Sequence, residues 1–283
     1  MSDPGRGVAY GVAAYGLWGL FPLYWPLLLP AQPVEILGHR MVWTLLTMLA
    51  VLTVLRQWAA VRGVLRSGRT TALLAVAGVL IGVNWGLFIH GVNTGHVVEI
   101  ALGYFINPLV TVLLGVIVLR ERLRPVQWVA IGLGAVAVAV LAADYGRPPW
   151  LALAIAGTFA GYGYLKKSAN VGTMQSLSIE TAVLFLPALA YLAVLHAGSG
   201  GTWGTSGRSY LLATTGIVTA APLLFFGAAA TRVPLSTMGL LQYLAPVLQF
   251  LIGVAVYGEQ MPPARWAGFS LVWLALVLLS ADA

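Results

Sequence analysis

The stretch GYFINPLVTVLLGVIVLRERLRP, Gly103 to Pro125, decides how the rest of the chain is read. A long apolar run carries Asn107 and Pro108 near its start, then stops abruptly in three arginines and a glutamate. A related segment, QYLAPVLQFLIGVAVYGEQMPP, runs from Gln242 to Pro263. Placing Pro108 over Pro246 sets an offset of 138 residues. At that offset, without a gap, Gly115 meets Gly253, Glu121 meets Glu259, Pro125 meets Pro263 and Trp128 meets Trp266. The register extends backwards, laying NWGLF (Asn84 to Phe88) over PLLFF (Pro222 to Phe226). Apolar segments match one another easily. Gly, Glu, Pro and Trp coinciding at fixed spacing point to an internal duplication, with one unit over 1–145 and a second over 146–283.

The composition around this repeat is that of a membrane protein. Of 283 residues 60% are hydrophobic and 8% charged, and the mean hydropathy is +0.90. A globular domain carries about 25% charged residues, so this chain has too little polar surface to stay in water. The absence of cysteine excludes disulfides and thiolate metal sites. A helix needs about 20 apolar residues to cross a hydrocarbon core about 30 Å thick. At that scale the chain offers ten spans, roughly 7–29, 35–55, 71–92, 98–119, 126–143, 149–166, 176–196, 209–231, 236–257 and 264–281. Continuous apolar runs, rather than alternating ones, disfavour a membrane β-barrel. The first span is too long for a signal peptide and is interrupted by Pro22 and Pro26. The expected fold is an all-α polytopic membrane protein of ten transmembrane helices.

Lys and Arg set the orientation. With the N-terminus inside, the inner loops hold Arg6, Arg56, Arg62, Arg66, Arg69, Arg120, Arg122, Arg124, Lys166, Lys167 and Arg232. The outer loops hold Arg147, Arg208 and Arg265, and Arg40 lies inside the second span. Both termini are therefore expected in the cytoplasm. The basic residues flank helices over several loops, which argues against nucleic acid as a partner. Five spans per unit is an odd number, so the second copy enters the membrane the other way round. Inverted repeats recur in secondary transporters, whose halves rock about a central site.

The last two spans of each unit share a pattern: an apolar helix with an internal proline, then Glu, a short turn, and a span starting near Trp. This pattern resembles the EamA domain, the repeat of the drug/metabolite transporter superfamily. HRMVW (His39 to Trp43), LGYFINPL (Leu102 to Leu109), YGYLKK (Tyr162 to Lys167), IETAVLFLPALAYL (Ile179 to Leu192) and STMGLLQYLAP (Ser236 to Pro246) narrow it. Together they resemble the RarD subgroup, named for chloramphenicol sensitivity, over essentially the whole chain. The resemblance implies a ten-helix transporter with a central cavity lined mainly by the first four helices of each half. Substrates across the superfamily include amino acids, nucleotide sugars and drugs.

Ionisable groups at membrane depth are costly and usually face a cavity or a partner. Glu35 and His39 share a helix face at the outer start of the second span. With Arg40 they could form a gate or a contact for an anionic substrate, Arg40 pairing with Glu99. Against this stands an interfacial ion pair with Arg40 reaching outward. Glu180, at the start of the seventh span, could cap that helix or serve a gate. A proton-coupled cycle would draw on Glu35, Glu99, Glu180 or His90. Asn84 and Trp85, with His90 in the same span, are candidates to line a cavity, interhelical hydrogen bonding being the alternative for Asn84. Tyr104, Asn107, Tyr162, Gln242 and Tyr243 complete the candidate lining. Aromatic walls with a few polar groups suit a small amphiphilic ligand. Pro108 and Pro246 are expected to kink their helices, Asn107 supplying a polar group beside the first. Lys166 and Lys167 are orientation signals, or attract anionic substrates.

The sets an intramembrane enzyme needs are missing. There is no HExxH or GxSxG motif, and Asp3, Asp144 and Asp282 all lie outside the spans. No P-loop is present, so neither a cofactor nor ATP drive is expected. The expectation is an inner-membrane secondary transporter exporting a small metabolite or drug-like solute by alternating access, with proton coupling or exchange left open. A channel, a lipid scramblase or a non-transporting regulator are the alternatives.

Overall fold

The structure, a computed structural model, describes residues 4–120, 123–204 and 207–281. Glu121, Arg122, Asp3 and Asp282 lie outside the described residues. All regular structure among those described is helical. In chain order the α-helices are α1 (Pro4–Tyr24), continued by a 3-10 turn over Trp25–Leu28, α2 (Pro33–Val54), the short α3 (Trp58–Leu65) and α4 (Gly68–Asn93). Then come α5 (Val97–Leu119), α6 (Pro125–Tyr145), α7 (Trp150–Ala169) and α8 (Thr173–Ala197). The last are α9 (Leu211–Ala230), α10 (Leu235–Leu241), α11 (Leu244–Leu251), which runs into a π-turn over Ile252–Val256, and α12 (Pro263–Ala281).

Local chemistry sets many of these ends. Pro33, Pro125 and Pro263 open α2, α6 and α12, where a missing N–H costs nothing because the first turn offers it no carbonyl. The Ser67 hydroxyl accepts from the Thr70 amide at 3.3 Å and caps α4. Helix α6 stops at Gly146 (φ 64°), a left-handed conformation that suits a residue without Cβ.

All ten apolar segments of the sequence fall on helices. Among the described residues, eight spans are long and apolar enough to cross a membrane by themselves, the broken α10–α11 unit counting as one. Helices α1 and α7 are of similar length but are diluted by glycine and tyrosine. Helix α3, in the loop after α2, was not expected.

The two prolines behave differently. Helix α5 continues without interruption through Pro108. At the matching register the chain breaks between α10 and α11, at Gln242 and Tyr243. Gln242 is four residues before Pro246, where the proline ring meets the carbonyl of the preceding turn and removes its hydrogen bond. A kink is thus realised as a break in the second half and not as a break in the first.

The main packing runs between halves. Helices α1 and α2 lie on α9, α4 and α5 lie on α7, α2 crosses α8, α5 meets α11, and α6 pairs with α12. Two close approaches fix this arrangement. A Cβ on Gly78 would sit 2.8 Å from the Glu180 carbonyl oxygen, and one on Gly216 would collide with the backbone of Trp43. Only glycine lets these backbones come so near. The core splits into a cluster around Phe105, Phe250 and Phe269 and another around Phe21, Trp25 and Phe88.

Candidate functional site

Arg40 lies two turns into α2, in line with Ile36, Thr44 and Met48 on a buried face at a spacing of four residues. That face carries the guanidinium into the middle of the bundle, where the residue is 2% exposed. The guanidinium carbon stands 3.8 Å from the centre of the Trp85 ring, 4.9 Å from Trp25 and 5.7 Å from Phe21. Its Nε donates to Thr219 Oγ1 on α9 at 2.9 Å. Among the described residues no carboxylate pairs with it. The titratable groups close enough to feel its charge are the phenols of Tyr24 and Tyr104. Glu99, expected as its partner, is taken by Arg147 (2.8 Å) and by the Leu151 amide.

The side chains around Arg40 are themselves tied down. Asn84 is fully buried and joins three helices. Its Nδ2 donates to the Ile155 carbonyl and to Thr158 Oγ1, both at 3.0 Å, while Oδ1 accepts from Tyr104 at 3.0 Å. Of the two readings of Asn84, interhelical bonding is the one observed. Tyr104 rests between Phe88 and Phe159, and Tyr24 bonds Thr214 at 2.7 Å.

On α4 the exposed Val76, Val79, Val83 and His90 mark the outward face. Trp85, about 200° round the helix from Val83, is half-buried, so its open edge looks inward. His90 therefore stands on the outer surface, away from the cluster. On α5 a stripe of Tyr104, Asn107, Pro108 and Thr111 passes from half-buried to exposed towards the Arg120 end. Asn107 accepts a hydrogen bond from Thr111 at 2.9 Å, one turn on. In the second half Gln242 is exposed, and Tyr243 packs beside the Phe250 cluster.

Further contacts gather at the end of the bundle where α2 and α5 start. Glu35 Oε1 accepts from the Thr202 amide at 2.6 Å and from its hydroxyl at 2.9 Å. Trp203 stacks on His39 at 5.1 Å, tilts over Trp43 at 5.7 Å, and abuts Tyr210. Glu35 and His39 thus clamp the loop before α9, instead of meeting Arg40. Nearby, both carboxylate oxygens of Glu259 accept amides of Val97 and Val98 at the start of α5. Burial raises the Glu259 carboxyl above the usual carboxylate range, against those hydrogen bonds. Arg265 pairs with Asp144 at 2.8 Å. Glu259 and Arg265, with His96, Gln260 and the Glu99–Arg147 pair, line a polar hollow of about 300 Å³.

At the opposite end Glu180, 1% exposed, is held by Lys166 Nζ at 2.9 Å and by the Tyr162 hydroxyl at 3.2 Å. Lys166 also reaches Ser176. Helix α8 starts seven residues earlier, at Thr173, so Glu180 does not cap it and is instead half of a buried ion pair.

Known proteins share this sequence and fold. The sequence profile of the EamA-like transporter family matches residues 5–143. Protein RarD of Streptomyces exfoliatus is 59% identical over 279 residues, covering 98% of this chain and 89% of that protein. This chain belongs to the EamA-like transporter family, in its RarD subgroup. Protein RarD of Escherichia coli K12 is 41% identical over 280 residues, with 98% and 95% covered. A crystal structure of another protein, at 20% identity, has the same fold with a TM-score of 0.61 over 98% of each chain. The chain is accordingly a multi-pass bacterial membrane protein of transporter type, with a lipid environment and a small-molecule substrate.

Several residues that build the site of this EamA-like chain carry no signal of their own in its sequence. Phe21 and Trp25 read as ordinary apolar residues until α1 and the 3-10 turn that continues it bring them to Arg40. Thr219 and Thr202 come from the other half of the chain. Arg147 and Arg265 read as loop charges, and only the fold places Glu99 and Asp144 beside them.

Proposed function

We propose that the chain is an inner-membrane secondary transporter that exports a small metabolite or drug-like solute by alternating access between two inverted five-helix repeats. Ten segments cross the bilayer, α10 and α11 together making one, and both termini are cytoplasmic. The observation that carries this reading is reciprocal packing. The offset of 138 residues takes α2 to α8, α4 to α9 and Gly78 to Gly216. Helix α2 meets α9 through Gly216, and α8 meets α4 through Gly78, so each half grips the other with the same device. Such an interface can rock without changing its character. The half-exposed stripe on α5 and the closed Glu35–Thr202 and Glu99–Arg147 contacts support an inward-open, outward-closed state.

The chain has no cysteine, which makes single thiols clean reporters. Thr111→Cys should react with an impermeant maleimide from the cytoplasmic side and Thr202→Cys only when the outer end opens. Proteoliposomes loaded with extracted metabolites should show saturable counterflow that is insensitive to voltage. Large unitary currents, with both thiols reactive at once, would replace this reading with a channel. Lipid flipping without solute counterflow would replace it with a scramblase.

A further inference from the structure

Arg40 brings hydrogen-bond donors that are not used by the protein into the middle of the bundle. A guanidinium has five N–H donors in a planar fork and accepts nothing. Arg40 uses Nε on Thr219, and among the described residues no other hydrogen bond to its fork is found. Trp85, at 3.8 Å from the guanidinium carbon, covers the flat face of the group and leaves the edge that carries the remaining N–H bonds. Tyr104 is spent on Asn84, both ends of Asn84 on Tyr104, Ile155 and Thr158, and Tyr24 on Thr214, while the buried Trp25 Nε1 donor finds no partner among the described residues. A charge removed from water without a counter-charge is costly. Cation–π contacts worth about 2 kcal/mol when desolvated offset only part of that cost. Of the other buried carboxylates in this bundle, Glu99 and Glu180 each have an ionic partner, and Glu35 is held by the Thr202 amide and hydroxyl.

We propose that Arg40 is the recognition site for an oxyanion, a carboxylate or phosphate on a small solute with an apolar or aromatic body. This rests on the transporter reading and names the class of solute that reading leaves open. The fork suits a bidentate oxyanion, and the Phe21, Trp25 and Trp85 rings suit the body. The same unpaired positive charge repels amines and quaternary ammonium ions, so cationic drug-like solutes are excluded. Arg40 belongs to α2 and its Thr219 partner to α9, across the interface between halves. A rocking motion would therefore change the fork's surroundings, the place where binding must be felt for access to alternate.

The test uses the purified full-length protein in neutral detergent and in phosphatidylcholine vesicles, with and without phosphatidylglycerol. The probes are radiolabelled benzoate and phenyl phosphate, each against benzamide as the neutral counterpart. Benzoate or phenyl phosphate should bind saturably where benzamide does not. Arg40→Gln should weaken that binding about 10- to 100-fold, as expected for charge-assisted hydrogen bonds, and Arg40→Lys should retain part of it. Inhibition by phosphatidylglycerol alone would assign the site to a lipid headgroup and overturn the solute proposal. Arg40→Met supplies a readout that a structural arginine would not: its melting temperature should equal or exceed that of the parent, because an unpaired buried charge is removed. Equal binding of benzoate and benzamide, no binding of either anion at about 10 mM, or marked destabilisation by Arg40→Met would each overturn the proposal. Anion binding without counterflow would leave the site standing and remove transport. Counterflow of neutral solutes that ignores Arg40→Gln would do the reverse.

Discussion

Arg40 on α2 and Glu180 on α8 are both buried charges, 2% and 1% exposed. They are treated in opposite ways. Glu180 is neutralised by Lys166 and capped by the Tyr162 hydroxyl, while Arg40 is wrapped in aromatic rings and one threonine. A buried ion pair holds the structure together in the state where it forms, and breaking it exposes a full uncompensated charge. Under the oxyanion proposal, the unused donors of a buried charge without a counter-charge are there for a ligand. Burial at membrane depth alone therefore does not distinguish a structural charge from a functional one. The company it keeps does.

That contrast can be broken or sharpened by experiment. The largest effect should come from Lys166→Ala, which strands Glu180 and should lower stability by about 3 kcal/mol; Lys166→Ala/Glu180→Gln should recover most of that loss in thermal melts. Should Lys166→Ala melt like the parent, the Glu180 pair does not belong to the structure. Asn84→Ala should cost about 2 kcal/mol, since it leaves the Tyr104 hydroxyl without its partner and removes two interhelical hydrogen bonds to α7. Its readout is the fraction of monodisperse protein after heating. Smaller still, Thr219→Val should cost about 0.6 kcal/mol, the average for an interhelical hydrogen bond in a membrane, while lowering counterflow by releasing the Arg40 fork.

The smallest effect concerns pH. Burial raises the folded-state Glu259 carboxyl above its ordinary value of 4.5, so the folded protein holds that proton to higher pH than the unfolded chain. Its contribution to stability is present below the ordinary value and falls as pH rises through the raised folded one. Melting temperatures from about pH 4 to about pH 8 should show this decline, and Glu259→Gln should flatten it. An unchanged slope in the variant would assign the decline to other groups.

Much of the helical plan was legible because bilayer thickness acts on sequence directly: about 20 apolar residues between charged or proline-bearing turns can be counted. Glu35, His39 and Arg40 were legible as unusual for the same reason. Their partners were not. The pairing of Arg40 with Glu99 read from the sequence fails because Arg147, forty-eight residues beyond Glu99, folds back to claim it. His90 looked like a coupling residue by depth, yet helical phase turns it to the outer surface. The prolines show the limit most plainly: Pro108 and Pro246 share a register, yet only the second sits beside a broken helix.

By itself the sequence determined that this chain is a helical membrane protein, since apolar length is a property of the linear chain. Only the tertiary structure decided which charges are spent and which is left. Partnership depends on distance between helices from different halves, and no spacing along one segment encodes it. Gly216 against Trp43, and Thr219 one turn further along α9, set that distance for Arg40.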